Sequence, residues 1–211
     1  PFTSQWRYNT NGANLLTAWR EIGHDDSAWP QGNGAFHNET TPATVIPVPT
    51  NTFLPLTGVA GRRITNYYFR TTFNLPADAA GVTLSARMAI DDGAVLYING
   101  VEAQRINMAA GTVLATTFAA SSWEANVLFN TNVSAASLVS GENTLAVEVH
   151  QQSATSSDVV FDLQLNAVIP AQTPVSITQD PAGVAVTAGS PASFNVGVTG
   201  SYPFYQWFKD G

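Results

Sequence analysis

The residues best suited to chemistry are acidic and sit in turns. Asp91-Asp92-Gly93 lies between two strand-like runs, and Asn99-Gly100 follows shortly after. Paired carboxylates with asparagine side chains and loop carbonyls are hard oxygen donors of the kind that hold Ca²⁺. Asp is also a default turn residue, and glycine can supply an unusual dihedral, so a plain turn comes first for Asp91 and Asp92 and a metal site second. His24-Asp25-Asp26 is a second acidic cluster, in a Gly- and Trp-bearing loop where turn capping outranks a ligand role. His150 with Ser156, Ser157 and Asp158 has the residue types of a hydrolase. It lacks the Gly-x-Ser-x-Gly elbow, and a hydrogen-bond network pinning the loop between two strands accounts for the same residues. Glu21, Glu39, Glu102, Glu124, Glu142 and Glu148 are isolated in sequence, so no glycosidase pair can be drawn among them. Glu102 and Arg105 are placed to make a surface contact near a hairpin.

Aromatic side chains offer a second kind of chemistry. Sugar sites stack aromatic faces on pyranose rings, while Asn, Gln, Asp and Arg read the hydroxyls. Trp19, Trp29 and Trp123 lie in loop-like polar contexts. Large aromatics are usually core, and that is the reading for Trp6 and Trp29. Trp123, in Ser121-Ser122-Trp123-Glu124, is the one expected at the surface.

The elements that must position these residues are strands. Charged residues are 11% of the 211, hydrophobic residues 45%, with Gly 16 and Pro 12. That balance excludes a disordered acidic chain and a charged helical bundle, and it favours strands and turns. Net charge is −7 with 8 Lys+Arg, so there is no basic footprint for nucleic acid and little attraction to anionic membranes. No apolar run reaches the roughly 18 residues of a membrane span. Cysteine is absent, which excludes disulfides and thiolate chemistry. Abundant Thr, Asn and Ser with a single lysine, Lys209, suggests an extracellular protein. The chain begins at Pro1 and is read as a mature or excised piece.

Residues 1–60 read as irregular, with Trp6 and Tyr8 on an edge strand and a proline-rich stretch from Pro42 to Pro55. Strands are expected at 64–73, 82–90, 94–98, 101–106, 143–150 and 159–168. In the second, Val82, Leu84, Ala86, Met88 and Ile90 share one face; Leu145, Val147 and Val149, and Phe161, Leu163 and Leu165, do so later. Asn99-Gly100 is the strongest hairpin signal. The fold class is all-β, a jelly-roll β-sandwich over 1–168. A linker is expected at 169–174. Residues 175–211 carry four short strand signals and Trp207, about half of an immunoglobulin-like sandwich, expected to bury that tryptophan.

These pieces together resemble a family. Trp6-Arg7-Tyr8, Trp19-Arg20, Asp25-Asp26-Ser27 with Trp29, Ile64 to Arg70, Asp91-Asp92-Gly93 with Tyr97 to Gly100, Arg105 to Met108, Gly141-Glu142-Asn143, and Val147 to Gln151 with Ser156-Ser157-Asp158 and Phe161-Asp162 resemble a galactose-binding-like jelly-roll module of large secreted bacterial proteins. Residues 171–211 resemble the start of a bacterial immunoglobulin-like repeat with a Tyr-Gln-Trp-Phe-Lys-Asp-Gly strand. Asp91 and Asp92 are similar to the Asp pair of calcium-dependent PA14-type lectins, where the metal helps hold a sugar. The resemblance implies a non-catalytic, extracellular module that binds a polysaccharide or cell-surface glycan. The implied ligand-binding residues are Trp123, Trp19, Arg105, Asn107 and His150, with Ca²⁺ at Asp91 and Asp92. The alternative is a structural subunit of an extracellular filament, adhesin or surface layer that self-associates through sheet edges.

Overall fold

The computed structural model describes residues 1–58, 61–171, 173–201 and 203–209. The chain divides into two compact units, Pro1–Ile169 and Pro170–Gly211.

The first unit is a sandwich of two sheets. Its strands are β1 (Gln5–Asn9), β2 (Gln31–Asn33), β3 (Phe36–Asn38), β4 (Thr52–Phe53), β5 (Asn66–Leu75), β6 (Thr83–Asp91), β7 (Gly93–Ile98), β8 (Val101–Ile106), β9 (Phe129–Val133), β10 (Gly141–His150) and β11 (Val159–Val168). One sheet has the order β2-β1-β5-β10-β7-β8, the other β4-β3-β11-β6-β9. The long strands β5, β6, β10 and β11 form the centre, and the chain crosses repeatedly between the layers as a jelly roll does. Every pairing in this unit is antiparallel except β3 with β4.

Side-chain alternation decides which faces meet. Val82, Leu84, Ala86, Met88 and Ile90 all enter the core between the sheets, opposite Leu145, Val147 and Val149. Phe69 and Phe161 meet there at 4.3 Å between ring centroids, and Trp6 packs edge-on against Phe161 at 5.2 Å. Asn99 and Gly100 turn β7 into β8 with φ of 51° and 83°, a left-handed pair that Asn and Gly tolerate best. The first segment contains more structure than its composition advertised. β1 joins the large sheet beside β5, and β9, for which no strand was expected, edges the other.

The outer face of the six-stranded sheet is also covered. A short 3-10 turn at Ala18–Arg20 lays Trp19 across Tyr68 at 4.7 Å and Tyr97 at 5.9 Å. With Val95 and Ala146 these side chains form a second apolar cluster outside the main core.

In the second unit, β12 (Ser176–Gln179) pairs with β13 (Gly197–Thr199). The signals at 184–186 and 204–209 do not form strands among the described residues. Trp207 is 56% exposed rather than buried, because among the described residues of this unit the only sheet is two-stranded and offers no second layer to cover it.

Candidate metal centre

Asp91 and Asp92 stand where the chain leaves the five-stranded sheet on β6 and enters the six-stranded sheet on β7. The two carboxylates part company there. Asp92 is 3% exposed and accepts three hydrogen bonds. Its Oδ1 takes the Trp123 N–H at 2.8 Å, and its Oδ2 takes the Gln152 N–H at 2.7 Å and the Ser156 hydroxyl at 3.5 Å. Asp92 is therefore a junction joining two loops to the sandwich, and it lies outside the group of three carboxylates that meets at Asp91.

Asp91 faces other carboxylates. Oxygen atoms of Asp91, Glu124 and Asp158 all lie within 4.8 Å of one another. Asp91 ends β6, and Asp158 precedes β11, whose Val160 pairs with Asp91. Glu124 comes from the long loop before β9. Burial first, then the negative charges of Asp158, Asp92, Glu124 and Glu39, push the Asp91 carboxyl up to about 8. Glu124 and Asp158 are shifted in the same direction, each chiefly by partial burial and then by neighbouring acids. Like charges at this distance cannot all ionise cheaply without a cation or a shared proton. The donor set fits a hard divalent ion. It is all oxygen and drawn from three separate segments, and Ca²⁺ accepts such ligands with loose geometry.

The turn reading of this segment is revised at Gly93. Its φ is not positive. Its missing side chain matters because a Cβ would lie 2.9 Å from Ala119 Cβ and from Met108 Sδ, and 3.0 Å from the Asn107 carbonyl. The close approach lets the loop after β8 fold across β7.

The other expected site residues are mostly committed to holding loops. Asn107, at φ 49°, donates to the Asp92 and Ser121 carbonyls and accepts from the Ser121 hydroxyl. Arg105 forms a two-armed pair with Glu102, Nε to Oε1 at 2.8 Å and Nη2 to Oε2 at 2.7 Å. Its Nη1 donates to the Ala109 and Gly111 carbonyls. Arg105 is thus an anchor for the segment after β8, with four of its five N–H donors engaged within the protein. Trp19 is 1% exposed and cannot stack on a sugar. His150 is fully buried. Its Nδ1 donates to the Thr117 carbonyl at 2.8 Å, and its Nε2 lies 3.3 Å from Glu148, which also accepts from the Tyr97 hydroxyl at 2.5 Å. That arrangement removes His150 both from a ligand surface and from the hydrolase pattern with Asp158. Trp123 is half-buried, edge-on to Phe129 at 5.0 Å, and keeps part of its surface at this loop end.

Glu124 and Asp158 are the members that sequence reading left out of the metal set. In sequence Asp158 stands only with His150 as a hydrolase pattern and Glu124 only as an isolated acid, and nothing in their spacing joins them to Asp91.

No family model matches the chain, and no curated protein does. Several solved structures are similar in part. Bacteroides uniformis β-glucuronidase 2, covalently bound to cyclophellitol-6-carboxylate aziridine, is 18% identical with a TM-score of 0.49, over 84% of this chain and 20% of that one. A β-glycosidase from Bacteroides vulgatus is 12% identical with a TM-score of 0.48, over 95% of this chain and 24% of that one. A calcium binding mutant of the Bacteroides uniformis enzyme is 16% identical with a TM-score of 0.44, over 84% of this chain and 20% of that one. The chain thus spans less than a quarter of each of these enzymes, and at such TM-scores no property of theirs passes to it.

Proposed function

We propose that residues 1–169 form a non-catalytic, galactose-binding-like module of a larger secreted bacterial protein, whose loop end binds a glycan with the help of Ca²⁺. The observation that carries this reading is the meeting of Asp91, Glu124 and Asp158 within 4.8 Å beside the half-buried Trp123. These carboxylates would hold the ion. Ca²⁺ takes about six to eight oxygens, so three side chains leave room for loop carbonyls, water or sugar hydroxyls.

Calorimetric titration with CaCl₂ tests the reading, followed by a glycan array in calcium and in EDTA. Saturable calcium binding that Asp158→Asn abolishes, with glycan signal lost in EDTA, is the expected result. Equal melting temperatures in calcium and EDTA, with no heat of binding, would sink it.

A second reading has its own observation. In the second unit Ile177, Val184, Phe194, Phe204, Trp207 and Phe208 are all at least 45% exposed. Exposed apolar side chains of that kind, in a unit whose two-stranded sheet has open edges, suit a partial immunoglobulin-like domain completed by another copy in a filament or surface layer. Electron microscopy of the purified protein separates the two. Ordered fibres favour assembly, and discrete particles favour the binding module.

A further inference from the structure

A polar cavity of about 220 Å³ opens on the outer face of the six-stranded sheet, away from the acidic cluster. Gln5, Arg7, Asp26, Gln31, Arg70 and Thr72 line it. Arg7 on β1 and Arg70 on β5 are directly paired across the strands. Like charges in that position repel, so the pairing is unfavourable unless something uses it. Asp26 bridges them, with Oδ1 at 3.2 Å from Arg7 Nε and Oδ2 at 2.8 Å from Arg70 Nε. One carboxylate for two guanidiniums leaves a net positive charge in a chain whose total is −7.

Both guanidiniums are held in place. Arg7 Nη1 donates to the Ser27 and Trp29 carbonyls, and Arg70 Nη1 to those of Trp19 and Glu21. The Arg70 side chain is 5% exposed. Among the described residues, Nη2 of neither arginine donates to a protein acceptor. The nearby Glu21 does not supply the missing charge, because its carboxylate packs against Gly100 at the β7–β8 turn. The side-chain amides of Gln5 and Gln31 and the Thr72 hydroxyl make no hydrogen bond within the protein among the described residues and can reach a ligand.

We propose that this cavity binds one carboxylate-bearing sugar unit. The arginine pair takes the carboxylate through the remaining Nη2 groups, one from each guanidinium, as charge-assisted hydrogen bonds. Gln5, Gln31 and Thr72 read the ring hydroxyls. The volume is below the roughly 300–1,000 Å³ of pockets for drug-sized ligands, which fits a single ring. This site does not depend on the carboxylates at Asp91.

The test is a titration of the ¹⁵N-labelled full chain, in EDTA so that the metal centre plays no part. The probes are sodium glucuronate, glucose, sodium acetate and sodium sulfate, each to tens of millimolar. Glucuronate should give saturable shifts at Arg7, Arg70 and Gln31 and bind more tightly than acetate or sulfate, with glucose silent. Arg7→Gln should weaken glucuronate about tenfold or more. Gln31→Ala, on an exposed side chain, should keep the fold and bring glucuronate toward acetate. No saturable response to glucuronate overturns the proposal. So does an equal response to glucuronate and glucose, which removes the arginines, or to glucuronate, acetate and sulfate, which leaves only a bare anion site.

Discussion

Asp91 and Asp92 are neighbours in sequence with opposite environments. Asp92 accepts from N–H and O–H donors of two loops, while Asp91 is surrounded by other acids. The two should respond differently to change. Asp92→Ala leaves the Trp123 and Gln152 amides without their acceptor and should cost about 2–4 kcal/mol in urea unfolding. Asp91 should govern a pH dependence. Its carboxyl is raised to about 8 in the folded chain, against an ordinary 3.8. Between those values the native state holds a proton that the unfolded state has released. Stability from this group is therefore full below about pH 4 and is lost as pH rises toward 8. Asp162, buried and raised to about 6, adds to the same trend over the lower part of that range. Melting temperature without calcium should fall from pH 5 to pH 8, and Asp91→Asn should flatten the slope. Calcium should raise it most at the alkaline end, where the carboxylates are ionised. A melting temperature that climbs with pH in EDTA would refute the assignment.

At the scale of elements, strands set the frame and loops are fastened to it by single contacts. Trp19 sits on a turn of three residues, yet it seals the outer face of the large sheet against Tyr68 and Tyr97. Trp19→Ala should cost about 3–5 kcal/mol, as the loss of a buried aromatic does. The segment after β8 crosses Gly93 so closely that even a methyl group intrudes. Gly93→Ala should destabilise by about 1–3 kcal/mol and displace the loop that carries Glu124, so calcium affinity should fall along with stability. Chemical denaturation and calcium calorimetry on one variant check both. A Gly93→Ala protein with parental calcium binding would uncouple the loop from the site.

At the scale of the molecule, the two units are built differently. The first buries aromatic side chains from both sheets in one core, while the second leaves large apolar side chains in solvent. A chain ending at residue 169 should keep the main unfolding transition within a few degrees, because the buried core described for the first unit is built from its own side chains. The whole chain should associate with rising concentration in sedimentation velocity, and the shortened one should not. Association that persists after removal of the second unit would move the interface to the edges of the sandwich.

Period and turn chemistry made most of the sandwich legible in sequence. Alternation from Val82 to Ile90 put those side chains on one face whatever lay opposite, and Asn99-Gly100 marked a hairpin because few other pairs accept its backbone. These are local constraints that a short window contains. β9 was hidden because Phe129 to Val133 is a short edge strand of mostly polar residues with only partial burial. Exposure was hidden as well. Polar neighbours made Trp19 look like a surface residue, and only the meeting of β5, β7 and β10 beneath it decided that it is buried. The same holds for chemistry. Asp91 was visible as a candidate, but its companions Glu124 and Asp158 come from loops whose meeting depends on the order of strands across two sheets. Arg7, Asp26 and Arg70 likewise became a cluster only when β1 was laid beside β5. Backbone period is a property of a few consecutive residues, whereas a site is a convergence of distant ones, so only the tertiary structure could assemble it.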